Sequence, residues 1–189
     1  MISLIRYLRG IQPMSELLRD RLEETLKQKD IRKKDFLLKA GQTCGNIYFI
    51  EKGLLRSFYI KDGKEISVWF SKEEDICVSV ESFFTQRPGQ DYIQALEDST
   101  VYYLSHDDLQ HTYRDFPEFN RIGRALLEKC LIRSSQRVTA MWMQKSADRY
   151  EWLVRHYPDL PQRVSAKQLA SYLGVTESML SKVKSRKQS

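Results

Sequence analysis

The sequence predicts an α+β protein in which an antiparallel β sandwich or barrel precedes a long helix and a small helical domain. Three observations predict it. Short apolar runs rich in β-branched and aromatic residues, with period-two spacing, fill the region from Ile31 to Ser105. An apolar helical stripe without internal proline follows from Pro117 to about Gln144. Near the end of the chain, two short amphipathic helices meet at Gly174.

Composition places the chain among folded globular proteins. Of its 189 residues 41% are hydrophobic and 30% are charged, which excludes an intrinsically disordered chain. Cys44, Cys77 and Cys130 are far apart and form no CxxC pair, so neither a disulfide framework nor a zinc or iron–sulfur site is indicated. We expect reduced thiols in a cytoplasmic protein. The opening "MISLIRYLRG" is too short and too charged for a signal peptide or a membrane span, so no membrane partner is predicted.

The N-terminal segment is predicted to be helical for its first ~30 residues. After Pro13 the stretch "MSELLRDRLEETL" spaces its leucines three to four residues apart, which favours an apolar stripe on a charged helix. The stripe consists of Leu17, Leu18, Leu22 and Leu26.

The strands are predicted from "NIYFIEKGLLRSFYI", "EISVWF" and "STVYYLS". An Asp-Gly pair separates the first two runs and indicates a tight hairpin, because Gly63 can take the positive φ that such a turn requires. Several strands at this spacing imply roughly 80 residues of antiparallel sandwich or barrel. A further helix is predicted after Ser105, whose hydroxyl can cap its N-terminus.

The long helix is expected to extend beyond the barrel. About 28 residues at 1.5 Å each give about 42 Å, more than so small a barrel can cover. We therefore predict that the same stripe of a second chain covers its apolar stripe and forms a two-fold homodimer; packing within one subunit is the alternative. The predicted dimer residues are Ile122, Leu126, Leu127, Cys130, Leu131 and Met141.

The C-terminal stretch has the spacing of a helix-turn-helix. Ser165 and Gln168 form a capping-box pattern, Gly174 can adopt a left-handed turn, and Leu169 and Leu180 give the two helices buried sides. The alternative is a helical hairpin used for packing only.

Charge favours the DNA-binding interpretation. The net charge is +6, and from Arg163 onward six bases face the single acid Glu177. Lys182 is predicted to donate to guanine or phosphate and Glu177 to accept from cytosine N4. The predicted DNA-binding residues are Thr176, Glu177, Ser178, Ser181, Lys182, Lys184 and Arg186.

The order of these segments resembles the Crp/Fnr (cyclic-AMP receptor / fumarate–nitrate regulator) family of transcription regulators, and most of all a branch common among Bacteroidetes. The resemblance covers nearly the whole chain. It is carried by "YFIEKGLLRSFYIKDGKE", "IQALEDSTVYYLSHDDL", "PEFNRIGRALLE" and "RVSAKQLASYLGVTESMLSKVK".

The resemblance implies a domain order and a function. It implies a double-stranded β-helix (jelly-roll, cyclic-nucleotide-binding-domain-like) sensor over residues 1–115, a dimerisation helix over 116–145 and a helix-turn-helix domain over 146–189. The function implied is that of a homodimeric, sequence-specific regulator. Its partners would be double-stranded DNA with a pseudo-palindromic operator and RNA polymerase.

Two departures from the family pattern change the expectation. Cyclic-nucleotide binders of the family carry a Gly-Glu pair and then Arg-Ser, and the matching segment here places Ser79 at the glutamate and Gly89 at the arginine. Without a guanidinium for the cyclic phosphate, we predict that cyclic AMP is not the effector, whose identity stays open. The chain also has few residues after Lys184, so we expect no full β-hairpin wing. The predicted effector-pocket residues are Ser79, Glu81, Ser82, Arg87 and Gln90.

Two other functions are alternatives to a transcription regulator. A small-molecule sensor whose helix-turn-helix docks a protein partner is the main alternative. A cupin-type metalloenzyme is disfavoured because His106, His111 and His156 lie outside the predicted strands and form no metal-ligand motif. The sequence therefore predicts no enzyme, no catalytic residues and no metal site.

Overall fold

The computed structural model describes residues 2–186, with the side chains of 3–185. The chain forms two compact units. The barrel unit comprises residues up to Ser57 together with Phe70–Lys129, and the helical unit comprises Phe58–Trp69 and the residues from Cys130 onward. The helices are α1 (Ile2–Ile11), α2 (Glu16–Thr25), α3 (Val80–Thr85), α4 (His106–Asp115), α5 (Pro117–Met141), α6 (Ser146–His156), α7 (Leu160–Arg163), α8 (Ala166–Leu173) and α9 (Glu177–Arg186). The strands are β1 (Lys27–Ile31), β2 (Phe36–Leu38), β3 (Asn46–Lys52), β4 (Leu55–Lys61), β5 (Lys64–Ser71), β6 (Ile76–Cys77), β7 (Tyr92–Ala95) and β8 (Ser99–Ser105).

The strands form the predicted jelly roll. Within the described residues one sheet has the order β1-β8-β3-β6 and the other the order β2-β7-β4-β5. β8 pairs antiparallel with both β1 and β3, so that Tyr103 lies opposite Lys27 on one side and Tyr48 on the other. Neighbours so distant in sequence are typical of a jelly roll, whose strands alternate between two sheets.

The prediction of helix in the N-terminal segment is wrong at the C-terminal end of that segment. Helix α2 stops at Thr25, and Lys27–Ile31 is an edge strand paired with β8. Only Ile31 of this strand is buried, so no alternation of apolar and polar residues marks it. Its partner lies some seventy residues further along the chain, beyond the reach of local pattern.

The Asp-Gly hairpin has the predicted geometry. Asp62 and Gly63 have φ of 51° and 71°, the two positive values of a type I′ turn, and join β4 to β5.

The core of the barrel unit lies between its two sheets. Ile50, Leu55, Ile93 and Val101 are fully buried there. Burial raises the pKa of the Cys77 thiol to about 11, so this side chain stays protonated and unreactive near neutral pH.

The N-terminal helices add their apolar sides to this core. Leu4, Ile5 and Leu8 of α1 and Leu18 and Leu22 of α2 are buried in it. Leu17, which the sequence places in the same stripe, is 74% exposed instead. Adjacent residues are about 100° apart on a helix, so Leu17 and Leu18 face different directions.

The long helix α5 runs for 25 residues and ends three residues before the predicted Gln144. Its first part packs in the barrel unit. A Cβ on Gly123 would lie 2.3 Å from the hydroxyl oxygen of Tyr113, so an alanine there would require the Tyr113 ring to move. No helix in the described range 2–186 is both long and apolar enough to traverse a lipid bilayer.

Candidate functional site

Helices α8 and α9 form the helix-turn-helix, and local bonds define where α8 begins. The Ser165 hydroxyl accepts from the Gln168 amide at 3.2 Å, and the Gln168 side-chain oxygen accepts from the Ser165 amide at 3.2 Å. This is the predicted capping box, and it satisfies amides that the first helical turn leaves unpaired.

The turn between the two helices depends on Gly174. Its φ is 64° and its ψ 38°, the predicted left-handed conformation. The amide of Val175 donates to the Ala170 carbonyl at 3.0 Å, which closes a Schellman-type helix end. A guanidinium nitrogen of Arg149 donates to the carbonyls of Leu173 (3.1 Å) and Gly174 (3.3 Å), so the turn is also held from α6.

Helix α9 presents a polar face to solvent. The Thr176 hydroxyl accepts from the Met179 amide at 3.2 Å and caps the helix. Leu180 and Val183 are buried on the opposite side. The exposed predicted DNA-binding residues are Thr176, Glu177, Ser178, Ser181 and Lys182.

The remaining two predicted DNA-binding residues differ from this set. Lys184 is half-buried, with its ammonium 6.0 Å from the centre of the Tyr150 ring, a long cation–π distance. The side chain of Arg186 lies outside the described residues.

A second part of the helical unit contacts α8 and was not anticipated. The Ser171 hydroxyl accepts from the Ser67 amide at 2.8 Å and donates to the Glu65 carbonyl at 2.9 Å. The Ser67 hydroxyl donates in turn to the Gln168 carbonyl at 3.2 Å. One serine of α8 thus occupies the place that a neighbouring strand would take along the edge of β5.

Two arginines of α5 strengthen this junction. Arg137 donates to the carbonyls of Val68 (3.2 Å) and Tyr172 (2.6 Å), and its guanidinium lies 3.5 Å from the centre of the Tyr172 ring. Burial lowers the pKa of Arg137 and raises that of Tyr172, which remains a neutral phenol. One turn earlier, Arg133 lies 5.0 Å from the centre of the Trp69 ring. The sequence signal for these contacts was weak: two arginines four residues apart in an apolar stripe.

The predicted effector residues divide into a buried pair and an exposed set. Ser79 donates to the Asp91 carboxylate at 2.5 Å, and Ser82 donates to the Arg87 carbonyl at 2.6 Å. Both serines are buried, whereas Glu81, Arg87 and Gln90 are exposed.

The position that aligns with the family's phosphate-binding arginine is closely packed. A Cβ on Gly89 would lie 3.0 Å from Ser82 Cβ and 3.5 Å from both serine hydroxyl oxygens. Its amide donates to the Gln42 carbonyl at 3.2 Å. The nearby charged group is the half-buried Asp91, whose carboxylate would repel a cyclic phosphate. Around Gly89 this segment therefore places two serine hydroxyls and, bonded to Ser79, the Asp91 carboxylate.

The predicted dimer residues do not share one environment. Ile122 is fully buried and Leu126 is packed against the core of the barrel unit. Leu127, Cys130 and Leu131 are exposed, and Met141 is half-buried. The apolar side chains of α5 and its C-terminal flank that are more than half exposed are Leu127, Leu131, Ile132, Val138 and Trp142.

Comparison with known proteins agrees with this architecture. Residues 28–115 match the family model of the cyclic nucleotide-binding domain. The matched cyclic nucleotide-binding domain extends from β1 to the end of α4. A search of curated proteins found no match.

Solved structures extend the likeness over most of the chain. The c-di-GMP-responsive global regulator CLP of Xanthomonas campestris superimposes with a TM-score of 0.70 at 18% identity, covering 92% of this chain and 92% of its own. FixK2 of Bradyrhizobium japonicum gives 0.71 at 14% identity, covering 85% and 83%. A protein of Eubacterium rectale assigned to the Crp/Fnr family of transcriptional regulators gives 0.72 at 13% identity, covering 93% and 84%. The chain therefore has the Crp-like fold, and its structural neighbours include transcription regulators.

Proposed function

We propose that the protein is a homodimeric, sequence-specific DNA-binding transcription regulator of the Crp/Fnr type. The observation that carries the proposal is the exposed polar face of α9. It bears Ser178, Ser181 and Lys182 on the second helix of a helix-turn-helix whose two helices are both capped at their N-termini. Such a helix places its N-terminal residues against base edges in the major groove.

The exposed apolar residues of α5 support a dimer. Leu127, Leu131 and Val138 recur at intervals of four and seven residues, so they lie on one face of the helix. Pairing this face with its copy gives a two-fold axis, and two α9 helices about 34 Å apart would meet successive major grooves of a pseudo-palindrome. RNA polymerase as a partner and the affinity with the Bacteroidetes branch remain predictions.

The test is binding to a pseudo-palindromic site from the gene's own promoter. Lys182→Ala should weaken binding about tenfold, because one charge-assisted contact to a base or phosphate is worth ~1–3 kcal/mol. Fluorescence anisotropy at fixed salt measures this. Lys29→Ala on strand β1 is the charge-matched control, since Lys29 is also exposed but belongs to the barrel unit.

Scrambled DNA decides between specific and non-specific binding. Equal affinity for the site and for its scrambled form at matched salt would contradict sequence-specific recognition. No binding to either would favour the alternative, in which the helix-turn-helix docks a protein.

We also propose that cyclic AMP is not the effector. A Cβ at Gly89 would already lie 3.0 Å from Ser82 Cβ, and Asp91 places a carboxylate beside Ser79. Calorimetry should show no saturable binding of cyclic AMP at micromolar concentration. Arg87 is the exposed cation closest to Gly89 along the chain, so micromolar binding that Arg87→Ala abolished would overturn the proposal.

A further inference from the structure

A cleft of about 440 Å³ opens between α1 and α5 in the barrel unit, away from the Ser79–Gln90 segment. It adjoins a second cavity of about 320 Å³, with which it shares Ser3 and Glu74. Pockets of this size hold small metabolites. Gly10 leaves the rim open, because a Cβ there would meet no atom within 4 Å.

Two cations line one part of this cleft. Lys129 donates to the Tyr7 hydroxyl at 3.0 Å and its ammonium lies 5.2 Å from the centre of the Tyr7 ring, so its position is defined. Among the described residues the Arg6 side chain has neither a hydrogen bond nor an ion pair. An anionic group in the cleft would be bound by both.

One carboxylate of the cleft is available to a ligand. Glu74 is held in a left-handed conformation with φ of 65°, and its amide donates to the Ile50 carbonyl at 2.9 Å. Within the described part of the chain its carboxylate has no partner. The neighbouring acids differ, because Glu51 accepts from the Ser3 hydroxyl and Glu73 from the Gly53 amide at 2.9 Å.

The rest of the lining is apolar. Ile11 and Leu126 are half-buried and packed against the core of the barrel unit, and both border the cleft. The cleft therefore presents cations, one carboxylate and an apolar surface within one small volume.

From this combination we infer that the cleft binds a free α-amino acid with an apolar side chain. Its carboxylate pairs with Arg6 and Lys129, its ammonium pairs with Glu74, and its side chain packs on Ile11 and Leu126. A dicarboxylate has no cation to pair with Glu74, so its second carboxylate would be repelled. A cyclic nucleotide also has no cation to pair with the Glu74 carboxylate.

The cleft remains open in the proposed dimer. Successive residues are about 100° apart on a helix, which places Leu126 about 120° and Lys129 about 180° round α5 from the mean direction of Leu127 and Leu131. The inference therefore goes beyond the proposed function and does not depend on DNA binding.

Calorimetry on the full chain without DNA tests it, with L-leucine as the probe. N-acetyl-L-leucine lacks the ammonium and L-leucinamide lacks the carboxylate, so each should bind at least about tenfold more weakly than L-leucine. Loss of operator binding in a separate experiment would leave this result unaffected.

Two variants connect the binding to the cleft. Arg6→Gln and Glu74→Gln should each weaken L-leucine binding about tenfold or more without changing the melting temperature of the free protein. Arg32→Gln and Glu24→Gln remove the same charges from exposed positions of the barrel unit and should leave binding unchanged. The inference is overturned if L-leucine shows no saturable heat up to its solubility limit, if N-acetyl-L-leucine binds equally well, or if both cleft variants bind like the wild type.

Discussion

Single residues decide the geometry of the turn between α8 and α9. Gly174 combines a positive φ with a crowded surrounding, since a Cβ on it would lie 2.8 Å from the methyl carbon of Met141. Gly41 also has a positive φ, 84°, but a Cβ there would meet no atom within 4 Å. Comparing an alanine substitution at Gly174 with one at Gly41 therefore separates the backbone cost of the substitution from its steric cost.

We expect Gly174→Ala to lower the free energy of unfolding by more than Gly41→Ala does. The left-handed conformation costs an alanine ~1–2 kcal/mol at either position, and only Gly174→Ala must also displace Met141. Urea unfolding of both variants measures the difference. Equal losses would show that Met141 moves without cost.

At the scale of elements, the β4–β5 hairpin and α8 are joined by backbone groups rather than by apolar contact alone. Ser67 is buried, and its amide donates to the Ser171 hydroxyl. Strands β4 and β5 continue from this hairpin into the barrel unit.

Replacing this hydroxyl is predicted to be costly. Ser171→Ala leaves the buried Ser67 amide without its acceptor, which should lower the free energy of unfolding by ~1–3 kcal/mol. Ser181→Ala on the exposed face of α9 should change it by less than ~0.5 kcal/mol. Hydrogen exchange at the Ser67 amide is a second measurement, and unchanged protection there in Ser171→Ala would contradict the role given to the hydroxyl.

At the scale of the whole molecule, the proposed assembly depends on α5. Its first part contributes Phe119 and Ile122 to the core of its own barrel unit, while Leu131 is 71% exposed. An apolar row that a single chain leaves in water favours association, because burying it gains ~25 cal/mol per Å².

We expect Leu131→Glu to give a folded monomer. Its melting temperature should be lower than that of the wild type only by the contribution of the lost dimer contact. Ile132→Glu is the control: Ile132 is 58% exposed but points about 100° away on the helix, so the dimer should persist. Light scattering after size exclusion gives the mass of each. A wild-type monomer at working concentration would remove the basis for paired DNA recognition.

The sequence predicts correctly those features whose interacting groups are close along the chain. The capping box of Ser165 and Gln168 and the Asp62–Gly63 turn each involve a few consecutive residues, so side-chain chemistry alone specifies them. The helical spacing of apolar residues likewise predicts α5, which runs for 25 residues.

The tertiary structure decided what depends on distant partners. Strand β1 exists because β8 supplies its hydrogen bonds, although its own residues are almost all exposed. Ser171 and Ser181 are both helical serines, and Ser171 has the edge of β5 beside it. Likewise Arg6, Glu74 and Lys129 are ordinary surface charges in the sequence, and they line one cleft only because α1, α5 and the loop between β5 and β6 meet there. The local sequence pattern determines which helix or strand forms. Burial and long-range pairing determine which groups each side chain contacts, and these contacts depend on the whole fold.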